Sequence, residues 1–239
     1  MNQDKVKLLK EYVEECGSIV FFGGAGVSTE SGIPDFRSTD GLYHQEWKYP
    51  PETILSHTFF VSHTEEFYRF YRKKMLCLGA KPNAAHKKLA ELEECGKLTA
   101  VVTQNIDGLH QMAGSKCVYE LHGSVHRNYC QRCCAFYDAR YMLESEGVPR
   151  CGCGGVIKPD VVLYEEGLDS KVIRGAVNAI SRADMLIIGG TSLAVYPAAG
   201  LIDYFSGRHL VLINRDATPR DRQADLLIQG NIGEVLSGI

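Results

Sequence analysis

Short, uninterrupted apolar runs recur along this chain at intervals long enough to hold a helix between them. Each run is rich in Val, Ile, Leu or Phe and lacks the polar alternation of a half-exposed strand, a pattern typical of strands buried on both faces. The runs occupy residues 18–22, 99–103, 185–188 and 209–213. A chain with such strands must cover both faces of its sheet, which favours an α/β fold over an all-β or all-helical one.

Amphipathic stretches before and between these runs predict the helices that would cover the sheet. They lie at residues 6–13, 83–92 and 169–180. Alternating strands and helices predict an α/β fold, with a Rossmann-like parallel sheet and helices on both of its faces.

Two insertions interrupt this alternation. The first, residues 39–81, carries the only tryptophan of the 239-residue chain and much of its aromatic content, and its pattern predicts a loop followed by a helix. The second, residues 123–155, is rich in glycine and cysteine and is expected to hold a zinc-ribbon-like site. We therefore expect residues 1–38, 82–122 and 156–239 to form a Rossmann-like domain and the two insertions to form a smaller, discontinuous domain.

Composition argues against several classes of protein. The 26 Lys and Arg residues against 29 Asp and Glu give a formal net charge of −3, which disfavours sequence-independent binding to nucleic acid. Residues 1–16 are charged throughout and lack the apolar segment of a secretory leader, so we expect a cytoplasmic protein with reduced thiols. Residues 185–202 hold no charge, but their glycines and proline favour a strand, a turn and a helix over a membrane span.

Four of the nine cysteines form two close pairs. Two residues separate Cys130 from Cys133. Cys151 and Cys153 follow after 17 intervening residues, with one residue between them. Thiolates on two such turns can converge on one tetrahedral Zn²⁺, and four protein ligands leave no open position, so the predicted zinc is structural, with one ion per chain. Buried, unbound thiols are the alternative, and Cys134 stays ambiguous. The other cysteines are expected in the core: Cys16, Cys77, Cys95 and Cys117.

A glycine-rich loop follows the first predicted strand. Gly23, Gly24 and Gly26 lie where a strand would turn into a helix, and bare backbone there lets a pyrophosphate approach the amides of a helix N-terminus. Thr29 replaces the third glycine of the usual dinucleotide-binding fingerprint, and no acidic residue ends a second strand about twenty residues later. The loop therefore indicates a nucleotide site but disfavours an ordinary NAD(H) oxidoreductase.

Further motifs follow this loop in a fixed order. They are ESGIPDFR at 30–37, TQNIDGLH at 103–110, LHG at 121–123, KPDVV at 158–162, GTSL at 190–193 and Asn214. Together with GAGVS at 24–28 and the two cysteine pairs, they closely resemble the signature of the sirtuins, which are NAD-dependent protein deacylases. The resemblance spans residues 24–214, most of the chain.

The resemblance implies that NAD⁺ is consumed as a co-substrate. The carbonyl oxygen of an acyl-lysine would attack C1′ of the nicotinamide ribose, and nicotinamide would leave. His122, which follows the apolar run 117–121, would then act as general base on a ribose hydroxyl that attacks the acyl carbon. The products would be free lysine, nicotinamide and O-acetyl-ADP-ribose.

The resemblance also implies a set of NAD⁺-binding residues. Asn105 and Asp107 would orient the nicotinamide carboxamide, Phe36 would cover the nicotinamide site, and Arg37 would approach the phosphates. Asn105 could instead cap a helix beginning near Ile106, a role that suits asparagine. The full expected set is Gly24, Ala25, Gly26, Thr29, Asp35, Phe36, Arg37, Gln104, Asn105, Ile106, Asp107, His122, Gly190, Thr191, Ser192, Asn214, Arg215 and Ile232.

The resemblance implies that the partners are substrates, namely acyl-lysine proteins or peptides. We expect the protein to be a monomer that binds neither nucleic acid nor membrane. An extended peptide would add as a strand along Val162, Leu163 and Tyr164. The family commonly has Phe-Gly-Glu near this point, whereas this chain has Tyr164, Glu165 and Glu166, so contacts on the peptide side are expected to differ.

The first insertion also bears on the acyl group. Sirtuins that prefer succinyl- or malonyl-lysine carry Tyr-x-x-Arg there, and the arginine binds the acyl carboxylate. Here the stretch begins at Tyr68 and places Tyr71 at the arginine position, while Arg72 lies about 100° further around a helix. We therefore expect an acetyl or other uncharged acyl group, with longer acyl groups and protein mono-ADP-ribosylation as alternatives.

A zinc-ribbon module that binds nucleic acid is the rival from another class. Such a module needs a basic, aromatic surface beside its cysteines. Between Cys133 and Cys153 the chain offers only Arg140 and Arg150 as basic residues, which disfavours this interpretation.

Overall fold

The structure of the chain is a computed structural model that describes residues 2–35 and 47–239. The strands are β1 (Ile19–Gly23), β2 (Leu98–Thr103), β3 (Val118–Glu120), β4 (Gly123–Cys130), β5 (Phe136–Tyr137), β6 (Ile157–Val161), β7 (Met185–Gly189), β8 (His209–Asn214) and β9 (Leu226–Gln229). The α-helices are α1 (Asn2–Glu15), α2 (Pro51–Ile54), α3 (His57–Ser62), α4 (Thr64–Lys74), α5 (Ala84–Glu94), α6 (Leu109–Ala113), α7 (Ala139–Glu144), α8 (Ser170–Arg182) and α9 (Ile232–Leu236).

Six of these strands form one parallel sheet in the order β3-β2-β1-β7-β8-β9. The four predicted strands are β1, β2, β7 and β8, and each matches its predicted run to within one residue at either end. The predicted parallel α/β sheet is therefore confirmed, with β3 and β9 added at its two edges.

The strand order reverses its direction at β1. From β1 the chain first builds outward to β2 and β3, and it later returns to the other side of β1 to build β7, β8 and β9. The carboxyl ends of the strands at such a reversal are where open α/β sheets bind ligands.

Both faces of the sheet are covered, which explains why its strands are apolar without interruption. Every residue of β1 is buried. On one face Leu9 of α1, Leu89 of α5 and Val235 of α9 belong to one apolar core, and on the other face Ile180 of α8 and Leu201 belong to a second. The expected helices on both faces are thus present.

Side-chain caps fix where two of the predicted helices begin. The Asn83 carboxamide oxygen accepts hydrogen bonds from the amides of Ala85 and His86 at 3.0 and 3.4 Å, and α5 starts at the next residue. The Asp169 carboxylate accepts from the amides of Lys171 and Val172 in the same way and starts α8. Such a cap contributes about 1 kcal/mol because it satisfies amides that have no partner within the helix.

A second, antiparallel sheet has the order β5-β4-β6 and carries the four clustered cysteines at one end. Its strand β6 lies within the range expected for the larger domain, yet it pairs with β4 along Ile157–Val161. The division of the chain into two domains stays a prediction, and this pairing favours a boundary after β6.

The described part of the first insertion holds three short helices, α2, α3 and α4, where the sequence pattern predicts a loop and one helix. Ser56 separates two of them, because its hydroxyl accepts a hydrogen bond from the Phe59 amide at 3.1 Å and begins α3. Phe67, Phe70 and Tyr71 of α4 are buried against the second sheet, in a core with Ile157. The insertion and the second sheet therefore share one hydrophobic core.

The uncharged segment 185–202 forms β7, a turn at Gly190 and part of a 3₁₀ helix (Ala198–Tyr204), as its glycines and proline indicate. Across the described ranges, no helix has both the length and the apolar content needed to cross a membrane.

Two buried histidines contact one another where α5 meets α6. The ring centroids of His86 and His110 are 4.7 Å apart, and both side chains are almost fully buried. Among the described residues, neither ring nitrogen of His110 has a hydrogen-bond partner. Burial lowers the pKa of His86 to about 4 and the pKa of His110 to about 3, so both rings are neutral in the folded protein.

We predict that His110→Phe makes the stability of the fold less sensitive to acid. The folded protein keeps His110 neutral, whereas His110 in the unfolded chain takes up a proton below a pH of about 6.5. As the pH is lowered below this value, His110 therefore reduces the free energy of unfolding of the native protein by up to about 1.4 kcal/mol per pH unit. Urea unfolding near neutral pH and about one unit below pH 6.5 measures the difference. Parallel pH profiles for the native protein and the variant would contradict the prediction.

Candidate active site

A cleft of about 550 Å³ opens at the carboxyl ends of the parallel strands and extends to the second sheet. Its walls come from the loops that follow β1, β2, β3, β7 and β8 and from the segment after β6. Every predicted cofactor and substrate residue within the described ranges lines it, while Phe36 and Arg37 lie outside those ranges. The lining residues that were predicted are Gly24, Ala25, Gly26, Thr29, Asp35, Gln104, Asn105, Ile106, Asp107, His122, Val162, Leu163, Tyr164, Gly190, Thr191, Ser192, Asn214, Arg215 and Ile232.

The glycine loop after β1 lies directly against the turn after β7. The Gly26 amide donates to the Gly190 carbonyl at 2.8 Å, and a Cβ on Gly26 would come within 2.8 Å of the Gly190 Cα. Gly190 has a φ of 60°, a left-handed conformation that favours glycine. Only glycine at both positions therefore lets these two loops meet.

Within the described residues 24–35, the α-helix expected directly after this loop is absent, and that prediction is wrong. The chain instead makes two single-turn 3₁₀ helices, Ala25–Val27 and Thr29–Ser31, which end at Gly32 with a φ of 81°. An anion here would meet the free amides of one tight turn, because no long helix stands behind them.

Ser28 joins the loop after β1 to the loop after β2. Its hydroxyl donates to the Asp107 carboxylate at 2.6 Å and accepts from the Asn105 carboxamide at 3.0 Å. The Asp107 carboxylate also accepts from the Leu109 amide at 2.9 Å. Ser28 is missing from the predicted set, and its position directly after the glycine loop is the signal that could have found it.

Asn105 does not cap a helix, so that alternative is wrong. The nearest helix, α6, begins at Leu109 and has Gly108 at its N-cap position. The Asn105 side chain is buried and donates to Ser28 instead, while its own amide donates to the Thr103 hydroxyl at 3.0 Å. Its carboxamide oxygen is left to face the cleft.

His122 lies between the loops that follow β1 and β2 and the segment after β6. Its Nδ1 is 3.0 Å from the Gln104 carbonyl oxygen, which can only accept, so Nδ1 carries the proton. Burial lowers the pKa of His122 below the usual value, although the hydrogen bond to the carbonyl opposes this shift. The ring is therefore neutral at pH 7, and Nε2 offers a lone pair as a general base.

The far end of the cleft is a chain of hydrogen bonds along the strand ends. The Gln104 carboxamide donates to the Thr191 hydroxyl at 3.1 Å, and the Thr191 amide donates to the Asn214 side-chain oxygen at 3.0 Å. The Asn214 carboxamide nitrogen is buried and has no hydrogen-bond partner among the described residues. A ligand hydroxyl would satisfy this donor, so the residues present fit a ribose at this end.

The segment after β6 is fixed on two sides. The Val162 amide donates to the His122 carbonyl at 3.0 Å, and the Tyr164 amide donates to the Leu55 carbonyl at 2.9 Å. The His57 amide returns a hydrogen bond to the Tyr164 carbonyl at 3.0 Å. This segment forms the wall of the cleft beside His122.

The four predicted metal ligands converge at the end of the second sheet. The Sγ atoms of Cys130, Cys133, Cys151 and Cys153 all lie within 4.8 Å of one another. Tetrahedral bonds of about 2.3 Å to zinc require Sγ atoms about 3.8 Å apart, so the geometry fits Zn²⁺. The Arg132 amide also donates to the Cys130 sulfur at 3.4 Å, as expected near a thiolate ligand.

The remaining cysteines lie apart from this cluster. Cys134 is exposed and outside it, and Cys16 is buried as expected. Cys77 and Cys117 are half-buried, and Cys95 is exposed, so the prediction that Cys95 is a core residue is wrong. Cys95 follows the last turn of α5 and faces solvent because the sheet covers only the opposite side of that helix.

The family follows from a match over most of the chain. A model of the Sir2 family matches residues 24–197. This chain belongs to the Sir2 family. Its NAD-dependent protein deacetylase relative from Clostridium acetobutylicum is 63% identical over 240 residues, with 99% of this chain and 98% of that protein aligned. The relative of the same name from Clostridium perfringens is 62% identical, with the same coverage of both chains.

Solved Sir2 structures have the same fold as this family member. A Sir2 variant with a deacetylated p53 peptide and 3′-O-acetyl ADP-ribose has a TM-score of 0.91 and 43% identity, and the match covers 98% of this chain and 96% of that one. Sir2 with a p53 peptide and NAD⁺ has a TM-score of 0.86 and 44% identity, covering 97% and 95%.

We predict that Asn83→Asp weakens NAD⁺ binding without unfolding the protein. The Asn83 carboxamide caps α5 through its oxygen and donates through its nitrogen to the Val27 carbonyl of the cofactor loop at 2.7 Å. Aspartate caps as well as asparagine, but it places a carboxylate against that carbonyl, so we expect the NAD⁺ dissociation constant to rise about three- to tenfold. Calorimetry of NAD⁺ binding measures this change.

The matched control is Asp169→Asn, the reverse exchange at the cap of α8, which lies outside the cleft. It should leave NAD⁺ affinity unchanged. Unfolding in urea should show similar stability for both variants. Native NAD⁺ affinity in Asn83→Asp would show that the hydrogen bond to Val27 does not support the loop.

Proposed function

We propose that this Sir2 family member is an NAD⁺-dependent protein lysine deacetylase. The observation that carries the proposal is the neutral His122 ring, held by the Gln104 carbonyl between the loops that would bind NAD⁺ and the segment that would bind a peptide. Relatives named NAD-dependent protein deacetylase and Sir2 structures with acetylated or deacetylated peptides support it.

NAD⁺ would supply a ribose carbon open to attack by the acetyl oxygen, and with the uptake of one water molecule the products would be free lysine, nicotinamide and O-acetyl-ADP-ribose. His122 would take a proton from a ribose hydroxyl at Nε2, because Nδ1 is already committed to Gln104. The segment Val162–Tyr164 would hold the peptide so that the acetyl-lysine lies against His122.

The two ends of NAD⁺ would meet different chemistry. At the nicotinamide end, Ser28 fixes Asp107 and Asn105, which would bind the carboxamide through a carboxylate and an amide. At the adenosine end, the unpaired nitrogen of Asn214 would donate to a ribose hydroxyl. Between them, the loop that Gly26 and Gly190 hold against the turn after β7 would present its backbone to the pyrophosphate.

We predict that an acetylated peptide incubated with the protein and NAD⁺ loses the mass of an acetyl group. A peptide that gains the mass of ADP-ribose would instead support mono-ADP-ribosyl transfer. His122→Ala should lower turnover by roughly 10²- to 10⁴-fold, since it removes the base. His209→Ala is the control and should keep native turnover, because His209 begins β8 at the end of the strand that lies away from the cleft. Native turnover in His122→Ala would contradict the assignment.

Acetyl-lysine is the proposed substrate rather than a carboxylate-bearing acyl-lysine. Tyr71, at the position where an arginine would bind such a carboxylate, is fully buried, and burial raises the pKa of its hydroxyl well above the usual range. The Arg72 guanidinium donates to the carbonyl oxygens of Met142 and Gly147 at 2.9 and 2.6 Å, so it is held away from the cleft.

We predict slower turnover of a succinyl-lysine peptide than of the matching acetyl-lysine peptide. No free cation is offered by Tyr71 or Arg72 to a carboxylate, and burying an unpaired carboxylate is costly. The ratio of kcat/KM for the two peptides measures the preference. Faster turnover of succinyl-lysine would overturn it.

The four clustered thiols would hold one structural Zn²⁺. We predict about one zinc atom per purified chain, and loss of the metal should unfold the second sheet, because structural zinc contributes on the order of 10 kcal/mol. Cys133→Ser should lose zinc, whereas Cys134→Ser, its exposed neighbour outside the cluster, should keep it. Equal zinc content in the two variants would contradict the ligand set. The protein is further proposed to be a cytoplasmic monomer.

A further inference from the structure

A second cavity lies beside the segment that would bind the peptide. It has a volume of about 500 Å³ and is open to solvent. Tyr164 and Glu165 line both this cavity and the main cleft, so the two spaces adjoin at that segment. A peptide lying against Val162 and Leu163 would therefore pass the entrance of the second cavity.

The chemistry of the second cavity is acidic and aromatic. Glu52 and Glu165 contribute two carboxylates, and among the described residues no lysine or arginine lines it. Tyr49, Phe59 and Tyr164 contribute aromatic rings, whose faces attract cations.

The bases near this cavity leave its charge negative. His63 is the one titratable base among the described lining residues, and it stacks on Phe59 with centroids 4.8 Å apart. Lys48 lies over the Tyr49 ring at 5.0 Å but does not line the cavity. The cavity therefore suits a cationic side chain better than an anionic or purely apolar one.

Glu165 differs from the glycine that the family commonly has here, yet it keeps a glycine-like backbone. Its φ is 76°, a left-handed conformation that is strained for a residue with a side chain. Its carboxylate accepts from the Thr58 amide at 2.9 Å and from the Thr58 hydroxyl at 2.7 Å. These bonds offset the strain and fix the carboxylate at the cavity entrance.

The charge of Glu165 stays uncompensated, unlike that of the next residue. The Glu166 carboxylate pairs with Lys158 at 3.0 Å and with His57 at 2.9 Å. The Glu165 carboxylate accepts hydrogen bonds only from Thr58, and these bonds, with a smaller contribution from nearby His57, lower its pKa, so it is ionised. Glu165 therefore presents a full negative charge to a ligand.

We propose that the second cavity binds a lysine or arginine side chain of the substrate, close in sequence to the acetyl-lysine, and that Glu165 determines this specificity. The inference rests on the proposed deacetylase function, because it takes an acetylated peptide as the ligand. Carboxylate contact and ring stacking at an exposed site together favour a cationic side chain about five- to tenfold over an acidic one.

The test uses acetyl-lysine peptides that carry a single arginine, alanine or glutamate at each flanking position in turn. Fluorescence anisotropy measures their binding to the full chain, and mass spectrometry measures turnover. At one or more positions arginine should bind about five- to tenfold more tightly than glutamate, and about 1 M salt should reduce this ratio because it screens the exposed charges. Equal binding of the two peptides at every position would overturn the inference.

Charge-removing variants identify the residue responsible. Glu165→Gln and Glu52→Gln should each reduce the arginine-to-glutamate ratio, with the larger effect at Glu165. Glu146→Gln removes the same charge from an exposed position that lines neither space, and it should keep the native ratio. A native ratio in Glu165→Gln, or equal weakening of all peptides, would show that Glu165 only supports the loop and would overturn the inference.

Measurements of binding and of turnover distinguish failure of the proposed subsite from failure of the proposed deacetylase function. A preference for arginine in binding, without loss of acetyl mass from any peptide, would contradict the proposed deacetylase function and support the subsite. Loss of acetyl mass with no flanking preference would support the function and contradict the subsite.

Discussion

The close contact between the loops after β1 and β7 is the constraint on which the site depends. β1 and β7 are neighbours in the sheet, and the Gly26 amide and the Gly190 carbonyl join their loops at 2.8 Å. This contact brings Thr191 to the Gln104 side chain, and the backbone carbonyl of Gln104 holds the His122 ring. These three contacts therefore link the positions of β1 and β7 in the sheet to the position of the proton on the His122 ring.

Much of the fold could be predicted because burial on both faces leaves a simple sequence pattern. The runs that became β1, β2, β7 and β8 are apolar without interruption, and the caps Asn83 and Asp169 begin helices where the periodicity starts. The pattern fails where structure depends on contacts distant in sequence. The strand β9 has only four residues, of which two are buried, so its pattern carries little signal. In the first insertion, Ser56 begins a new helix and so separates α3 from α2.

The candidate site follows the same division. The motifs predicted the glycine loop, His122 and the cysteine pairs. Among the described residues, the predicted cofactor and substrate residues line one cleft, and the predicted metal ligands form one cluster. Ser28 lies in the glycine-loop motif but is missing from the predicted set, because its hydroxyl acts through Asn105 and Asp107, and Asp107 is 79 positions away in the sequence. The sequence also could not indicate that the Glu165 carboxylate bonds to Thr58, which is 107 positions away in the sequence.

The proposed chemistry requires that the protein holds His122 neutral, with its proton on Nδ1 and its Nε2 free to act as a base. Nitrogen-15 NMR of the histidine side chains, assigned by comparison with His122→Ala and recorded across a pH titration, tests this directly. We expect the Nδ1–H tautomer and a His122 pKa below that of an unperturbed histidine, because burial disfavours the charged ring. An Nε2–H tautomer, or a His122 pKa above that of an unperturbed histidine, would show that Nε2 is not held ready as a base.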